Sequence, residues 1–94
     1  MVLSDTAVRH WRRLPKGKRA ALKDSIRRHL AEADPLQPTR NKFRLRRPSE
    51  YAEFELRVEP WRLFYRVRGR TVEVVLIGEK AGDRLLVEGE EFIL

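Results

Sequence analysis

The sequence predicts an α+β protein in which an N-terminal helical hairpin packs on a twisted antiparallel β-sheet. Three observations carry that prediction. Apolar residues recur at helical spacing up to residue 33, they alternate at period two from residue 52 onward, and a polar, proline-containing connector separates the two regions. A chain of 94 residues suits one domain, spanning 1–94, and its hydrophobic share of 41% is ample for a core.

Ser4-Asp5 suits a helix start, with Asp5 at the positive end of the helix dipole. Ala7, Val8, Trp11 and Leu14 then fall on one helical face, and Pro15-Lys16-Gly17 breaks the pattern. A second helix is expected over 18–33, burying Leu22, Ile26, Leu30 and Ala33. Asp34-Pro35 ends it, because the residue before a proline avoids the helical region. Residues 34–42 read as a loop, 42–47 as a short strand and Pro48-Ser49-Glu50 as a turn.

The remainder reads as strands. Over 52–58, apolar Phe54, Leu56 and Val58 alternate with charged Glu53, Glu55 and Arg57, giving one buried and one wet face. After the Glu59-Pro60 turn, Trp61, Leu63, Tyr65 and Val67 alternate with Arg62, Phe64, Arg66 and Arg68. A third strand over 71–77 is apolar on both faces, with Val72, Val74 and Leu76 on one side and Val75 and Ile77 on the other, which predicts a central position. Gly78 should end it. Residues 85–87 add a short strand, and Phe92-Ile93-Leu94 is an apolar tail expected to pack.

Charge is the strongest functional signal. There are 21 Lys and Arg against 14 Asp and Glu, a net charge of +7. The sequence pI of about 10.5 is the usual electrostatic footprint of a nucleic-acid binder, RNA above all, the alternative being that the charge only keeps a small protein soluble. The outward face of the hairpin carries Arg9, Arg12, Arg13, Lys16, Lys18, Arg19, Lys23, Arg27 and Arg28, either as a solvated face or as a phosphate-contacting ridge. On the open face of the sheet, carboxylates and guanidiniums alternate. That pattern suits cross-strand ion pairs. It also suits a phosphate site, in which arginine forks hold phosphate oxygens, a Glu takes a proton from a ribose 2′-OH, and an exposed Phe64 stacks a base.

Several chemistries are excluded or unsupported. With no cysteine, there is no disulfide, no thiolate nucleophile and no Cys-ligated zinc, and a reducing, cytosolic setting is expected. His10 and His29 stand on different helices with no second ligand at metal spacing, so no metal is expected. The serines have no nucleophile context, and no Gly-rich phosphate loop exists, so no cofactor is expected. No apolar run reaches membrane-spanning length.

From Phe54 to Lys80 the chain resembles the RelE/ParE superfamily of toxin–antitoxin toxins. The resemblance rests on Glu55-Leu56-Arg57-Val58, on Trp61-Arg62-Leu63-Phe64-Tyr65-Arg66-Val67, and on Val74-Val75-Leu76-Ile77-Gly78-Glu79-Lys80. Leu14-Pro15-Lys16, the hairpin and Asp34-Pro35 are placed as in that family, while the ending from Arg84 to Glu91 looks like a branch apart within it. The resemblance implies a RelE/ParE-like fold and a cognate antitoxin as partner. For RelE-like members it implies a metal-free endoribonuclease that inhibits translation by cutting mRNA on the ribosome.

Residue by residue, Arg62 matches the arginine that contacts the scissile phosphate, and Lys80 the basic position after the strand glycine. Glu53 and Glu55 stand where two lysines are expected, and Leu86 where a tyrosine is expected. The catalytic candidates are therefore Arg62, Lys80, Glu53 and Glu55, with either glutamate as base in a rearranged site. Arg57, Phe64, Arg66, Arg46 and Arg47 are the RNA-binding candidates. The ParE-like branch inhibits DNA gyrase without such a catalytic set, and that activity is the alternative, alongside a catalytically decayed binding module. Only Val2-Leu3 precede the first helix cap, which implies either a late start or a sheet with one short edge.

Overall fold

A computed structural model describes residues 2–46 and 52–92. Helix α1 spans Asp5–Arg13. Its cap is the expected one: Ser4 Oγ accepts from the Ala7 N–H at 3.1 Å and donates to the Val75 carbonyl at 3.1 Å, so one hydroxyl both caps the helix and ties it to the sheet. Helix α2 spans Lys16–Ile26, starting two residues earlier than the sequence pattern indicates. Only Leu14 and Pro15 separate the helices. Arg19 holds the connection by donating to the Leu14 carbonyl at 3.0 Å and to the Arg12 carbonyl.

The α2 helix runs on into a π-turn over Arg27–Ala31, closed by the Glu32 N–H to the Arg27 carbonyl at 2.8 Å. Leu22, Ile26 and Leu30 are buried as the periodicity requires. Ala33, expected in that stripe, is exposed, because the π-turn ends the helical register before it. The helix end is finished from outside: Lys42 Nζ donates to the His29 carbonyl at 2.9 Å and to the Asp34 carbonyl at 2.7 Å, and Tyr65 Oη donates to the Pro35 carbonyl at 2.6 Å.

Among the described residues seven strands form one sheet: β1 Val2–Leu3, β2 Lys42–Arg44, β3 Phe54–Val58, β4 Trp61–Arg68, β5 Thr71–Ala81, β6 Arg84–Val87 and β7 Glu90–Glu91. The order is β2-β3-β4-β5-β6-β7, antiparallel throughout, while β1 adds to β5 in parallel. Strand β5 is central, as its two apolar faces predict. It does not end at Gly78 but continues to Ala81 against β6. Gly78 is required there by close approach: a Cβ would lie 2.8 Å from Leu85 Cδ1 and 3.0 Å from the Leu86 carbonyl oxygen.

A bulge also changes the faces of β5. The register steps from Phe64 opposite Leu76 to Tyr65 opposite Val74, leaving Val75 unpaired. Val72, Val74 and Ile77 therefore face the helices, while Val75 and Leu76 both turn to the other side, in place of the simple alternation expected.

The main core lies between hairpin and sheet, where Ala7, Leu14, Leu22, Ile26 and Leu30 meet Phe54, Leu56, Leu63, Tyr65, Val72, Val74 and Ile77. Burial of each large side chain contributes roughly 1.5–3 kcal/mol. The middle of the outer edge of β5, between the segments paired by β1 and β6, is served by α1. His10 Nδ1 accepts the Ile77 N–H at 3.1 Å, and its Nε2 lies 3.7 Å from Glu88 Oε1. Burial holds the His10 pKa below its ordinary 6.5, helped by Arg9 and Arg13 and opposed by Glu88. Among the described residues no helix is long and apolar enough to cross a membrane.

Candidate functional site

The face of the sheet turned away from the helices holds most of the candidate residues. Register fixes their arrangement, since Glu55 pairs with Phe64 and Arg57 with Arg62 across β3 and β4, and Arg62 with Gly78 across β4 and β5. Lys80, two residues beyond Gly78, shares the face with Arg62 and is exposed. One end of the face thus gathers Glu55, Arg57, Arg62 and Lys80.

Arg62 is the most enclosed of these, at 8% exposure. Its Nη2 donates to Glu59 Oε1 at 2.8 Å, its Nη1 to the Trp61 carbonyl at 3.0 Å, and its Nε stands 4.0 Å from Glu55 Oε1. Glu55 also accepts from Arg57 Nε, and the Arg57 guanidinium lies over the Phe43 ring at 4.0 Å from its centroid. The result is a chain of alternating charges along the face, with Arg62 placed between two carboxylates.

The other candidates are not part of that cluster. Glu53 lies just outside β3 at the far end of the face, where its Oε1 accepts the Val67 N–H at 3.4 Å. By register it stands four residue pairs from Arg62 and two past Phe64, about 13 Å along the strands. Of the two glutamates proposed as base, only Glu55 is in reach of Arg62. Arg66 pairs with Glu73 at 2.6 Å. Arg46 is exposed beyond the end of β2, whereas Arg47 and the Pro48-Ser49-Glu50 turn lie outside the described residues.

Phe64 is a correction to the sequence reading. It is not exposed for base stacking but 3% exposed, in a second apolar cluster with Ala52, Val75 and Leu76. Leu45, Leu85 and Phe92 pack against that cluster, so the apolar tail does pack as far as Phe92. Part of the face read as wet is in this way a small core of its own. Hydrophobic burial of a ring dominates over its polar neighbours wherever the chain supplies a cover.

The hairpin arginines divide in two. Arg9 donates to Glu88 at 2.7 Å, Arg27 pairs with Asp24 and Glu32, and Arg28 with Asp24. Among the described residues Arg12, Arg13, Lys16, Lys18 and Lys23 make no ion pair, although Arg13 acts on the Glu88 carboxylate at longer range.

Sequence reasoning missed the buried polar anchors. His10 had a signal, since it lies three residues after Ala7 and four before Leu14, on the buried face. Lys42 had none, because nothing local indicates that its amine caps a helix. Among the described residues no group of three or more His, Asp or Glu is placed to hold a metal ion.

A helical hairpin laid on an antiparallel sheet, with an arginine at the head of the central hairpin and a basic residue past the strand glycine, defines a RelE/ParE-type toxin architecture. Residues 1–84 match the model of the family described as the ParE toxin of type II toxin–antitoxin system, parDE, and the chain belongs to that family. It is therefore the toxin component of a type II toxin–antitoxin pair, and its partner is a cognate antitoxin. Neither a curated protein nor a solved structure matches the chain.

Proposed function

We propose that this toxin arrests growth by binding DNA gyrase and not by cutting RNA. The observation that carries this reading is the state of Arg62. Its guanidinium is enclosed and meets Glu59 and Glu55, so it presents no open fork to a scissile phosphate. Attack of a ribose 2′-OH on phosphate needs a preorganised positive charge at the developing dianion, and a carboxylate-paired arginine supplies little of it. Burial of Phe64 removes the stacking surface that an RNA-cutting site would use, which supports the same reading.

The test is induction of the toxin in cells without its antitoxin. A DNA-damage response with intact transcripts is expected, and the arrest should persist in Glu53→Gln and Lys80→Gln. Transcripts cut at ribosomal A-site codons, with the arrest relieved by Lys80→Gln, would overturn it. Normal growth on full expression would instead support the decayed binding module.

Ribosome-associated mRNA cleavage is the second reading, and one observation favours it: Arg62 and Lys80 share a face, with Glu55 4.0 Å from Arg62. In that reading the solvent-exposed Glu59 leaves Arg62 when RNA arrives, and Glu55 takes the proton from the 2′-OH. Either target places the protein in the cytoplasm.

A further inference from the structure

The net charge of this chain is concentrated in one place. Residues 12–23 hold six cations, Arg12, Arg13, Lys16, Lys18, Arg19 and Lys23, and no Asp or Glu. They carry +6 of the net +7, while the remaining 15 Lys and Arg nearly balance the 14 Asp and Glu. The fold gathers this segment into one knuckle: the last turn of α1, the two-residue connection and the first two turns of α2. Five of the six side chains are exposed. Arg19 is half-buried and ties the knuckle together through the Leu14 and Arg12 carbonyls.

The placement runs against local stability at α2. Its first turn has no acidic residue, Pro15 gives no side-chain cap, and Lys16, Lys18 and Arg19 sit at the positive end of the helix dipole. Farther along the same helix the charges are handled differently, with Arg27 and Arg28 paired to Asp24 and Glu32. Among the described residues the knuckle has no ion pair of this kind, although Arg13 shares a pocket with Glu79 and Glu88 and acts on the Glu88 carboxylate.

We propose that the knuckle between α1 and α2 docks on the phosphate backbone of duplex DNA. Five exposed cations gathered on one helix–helix turn offer contacts to successive phosphates. Residues 12–23 contain no aromatic side chain, and the adjacent Trp11 is partly buried against the main core, so the segment itself offers no ring on which the bases of a single strand could stack. Among the described residues the exposed large hydrophobics are Val2 and Leu36, neither of them in the knuckle, and the shallow apolar groove beside it on α2 is lined by the small Ala20 and Ala31 with Lys23, Asp24 and Arg27. The choice of DNA over an RNA duplex rests on the gyrase reading, because gyrase holds duplex DNA; the phosphate-binding surface itself does not depend on it.

The experiment is fluorescence anisotropy of the purified full chain with a labelled duplex DNA of about 20 bp, titrated with salt. The expected result is sequence-independent binding whose affinity falls roughly 500-fold between roughly 50 and 200 mM salt, as about five phosphate contacts require. The Lys16→Gln/Lys18→Gln/Lys23→Gln variant should lower the log–log salt slope by about 2–3. An Arg27→Gln/Arg28→Gln variant, which removes cations already paired, should leave the slope close to wild type. Circular dichroism of both variants establishes that they are folded.

Equal slopes for the triple variant and wild type would overturn the proposal. So would equal losses in the two variants, tighter binding to duplex RNA, or binding to polyglutamate with none to DNA, the last assigning the surface to an acidic protein. Inhibition of gyrase is read separately. A toxin that binds duplex DNA but leaves gyrase untouched keeps the knuckle and loses the gyrase reading, and the reverse outcome separates them the other way.

Discussion

The Ile77 backbone N–H donates to His10 Nδ1 at 3.1 Å, so a helix side chain takes the place of a strand on the edge of the central β5. This acceptor exists only while Nδ1 is unprotonated, which puts the proton of the neutral ring on Nε2, toward Glu88. His10→Ala leaves the buried N–H without a partner and should cost about 1–3 kcal/mol of stability.

The same contact sets a pH dependence. Burial lowers the folded-state pKa of His10 below its ordinary 6.5, so the unfolded chain binds the proton more readily. The stability is fully present above about pH 6.5 and is lost as pH falls through the lowered folded value. Glu88 opposes the shift and Arg9 and Arg13 reinforce it, so Glu88→Gln should enlarge the acid-side loss. Thermal melts between about pH 5 and pH 8 measure this, and a His10→Gln variant should give a flatter profile over the same range.

Lys42 makes a second prediction. Its amine is buried and spends two hydrogen bonds on carbonyls at the end of the π-turn and in the following loop. Lys42→Met keeps the aliphatic stem but orphans the His29 and Asp34 carbonyls. A loss of about 2 kcal/mol is expected, seen as a fall in Tm of roughly 10 °C for a chain of this size. An unchanged Tm would show that water serves those carbonyls equally well.

Phe64 separates a structural role from a base-stacking one. Phe64→Ala opens a cavity under Leu45, Leu85 and Phe92 and should cost about 3–5 kcal/mol, whereas Phe64→Leu should cost far less. Growth arrest should be retained by Phe64→Leu. A stable Phe64→Ala variant that has lost activity would instead place the ring at a ligand.

The residues legible in the sequence were those whose partners are periodic and local. Phe54, Leu56, Leu63 and Tyr65 announce one buried face by simple alternation, and Val72 through Ile77 announce a central strand by being apolar on both. The bulge at Val75 was not legible, because a slip within Val74-Val75-Leu76 leaves every neighbour equally apolar. The cover over Phe64 comes from Leu45, Leu85 and Phe92, each at least 19 residues away in sequence, so alternation read Phe64 as wet. The candidate site was half legible for a related reason. Strand parity put Glu55, Arg57 and Arg62 on one face, but only the register could bring Glu55 to Arg62 while leaving Glu53 four residue pairs distant. Glu59, in the turn, lay outside any parity argument, and it is the residue that occupies the Arg62 fork.

ATP-dependent supercoiling of relaxed plasmid by purified gyrase with increasing toxin separates the proposed gyrase target from RNA. Loss of supercoiling is predicted at toxin concentrations that leave ribosome-bound mRNA uncut. Full supercoiling, together with mRNA cut in the ribosomal A site at the same concentrations, would contradict it.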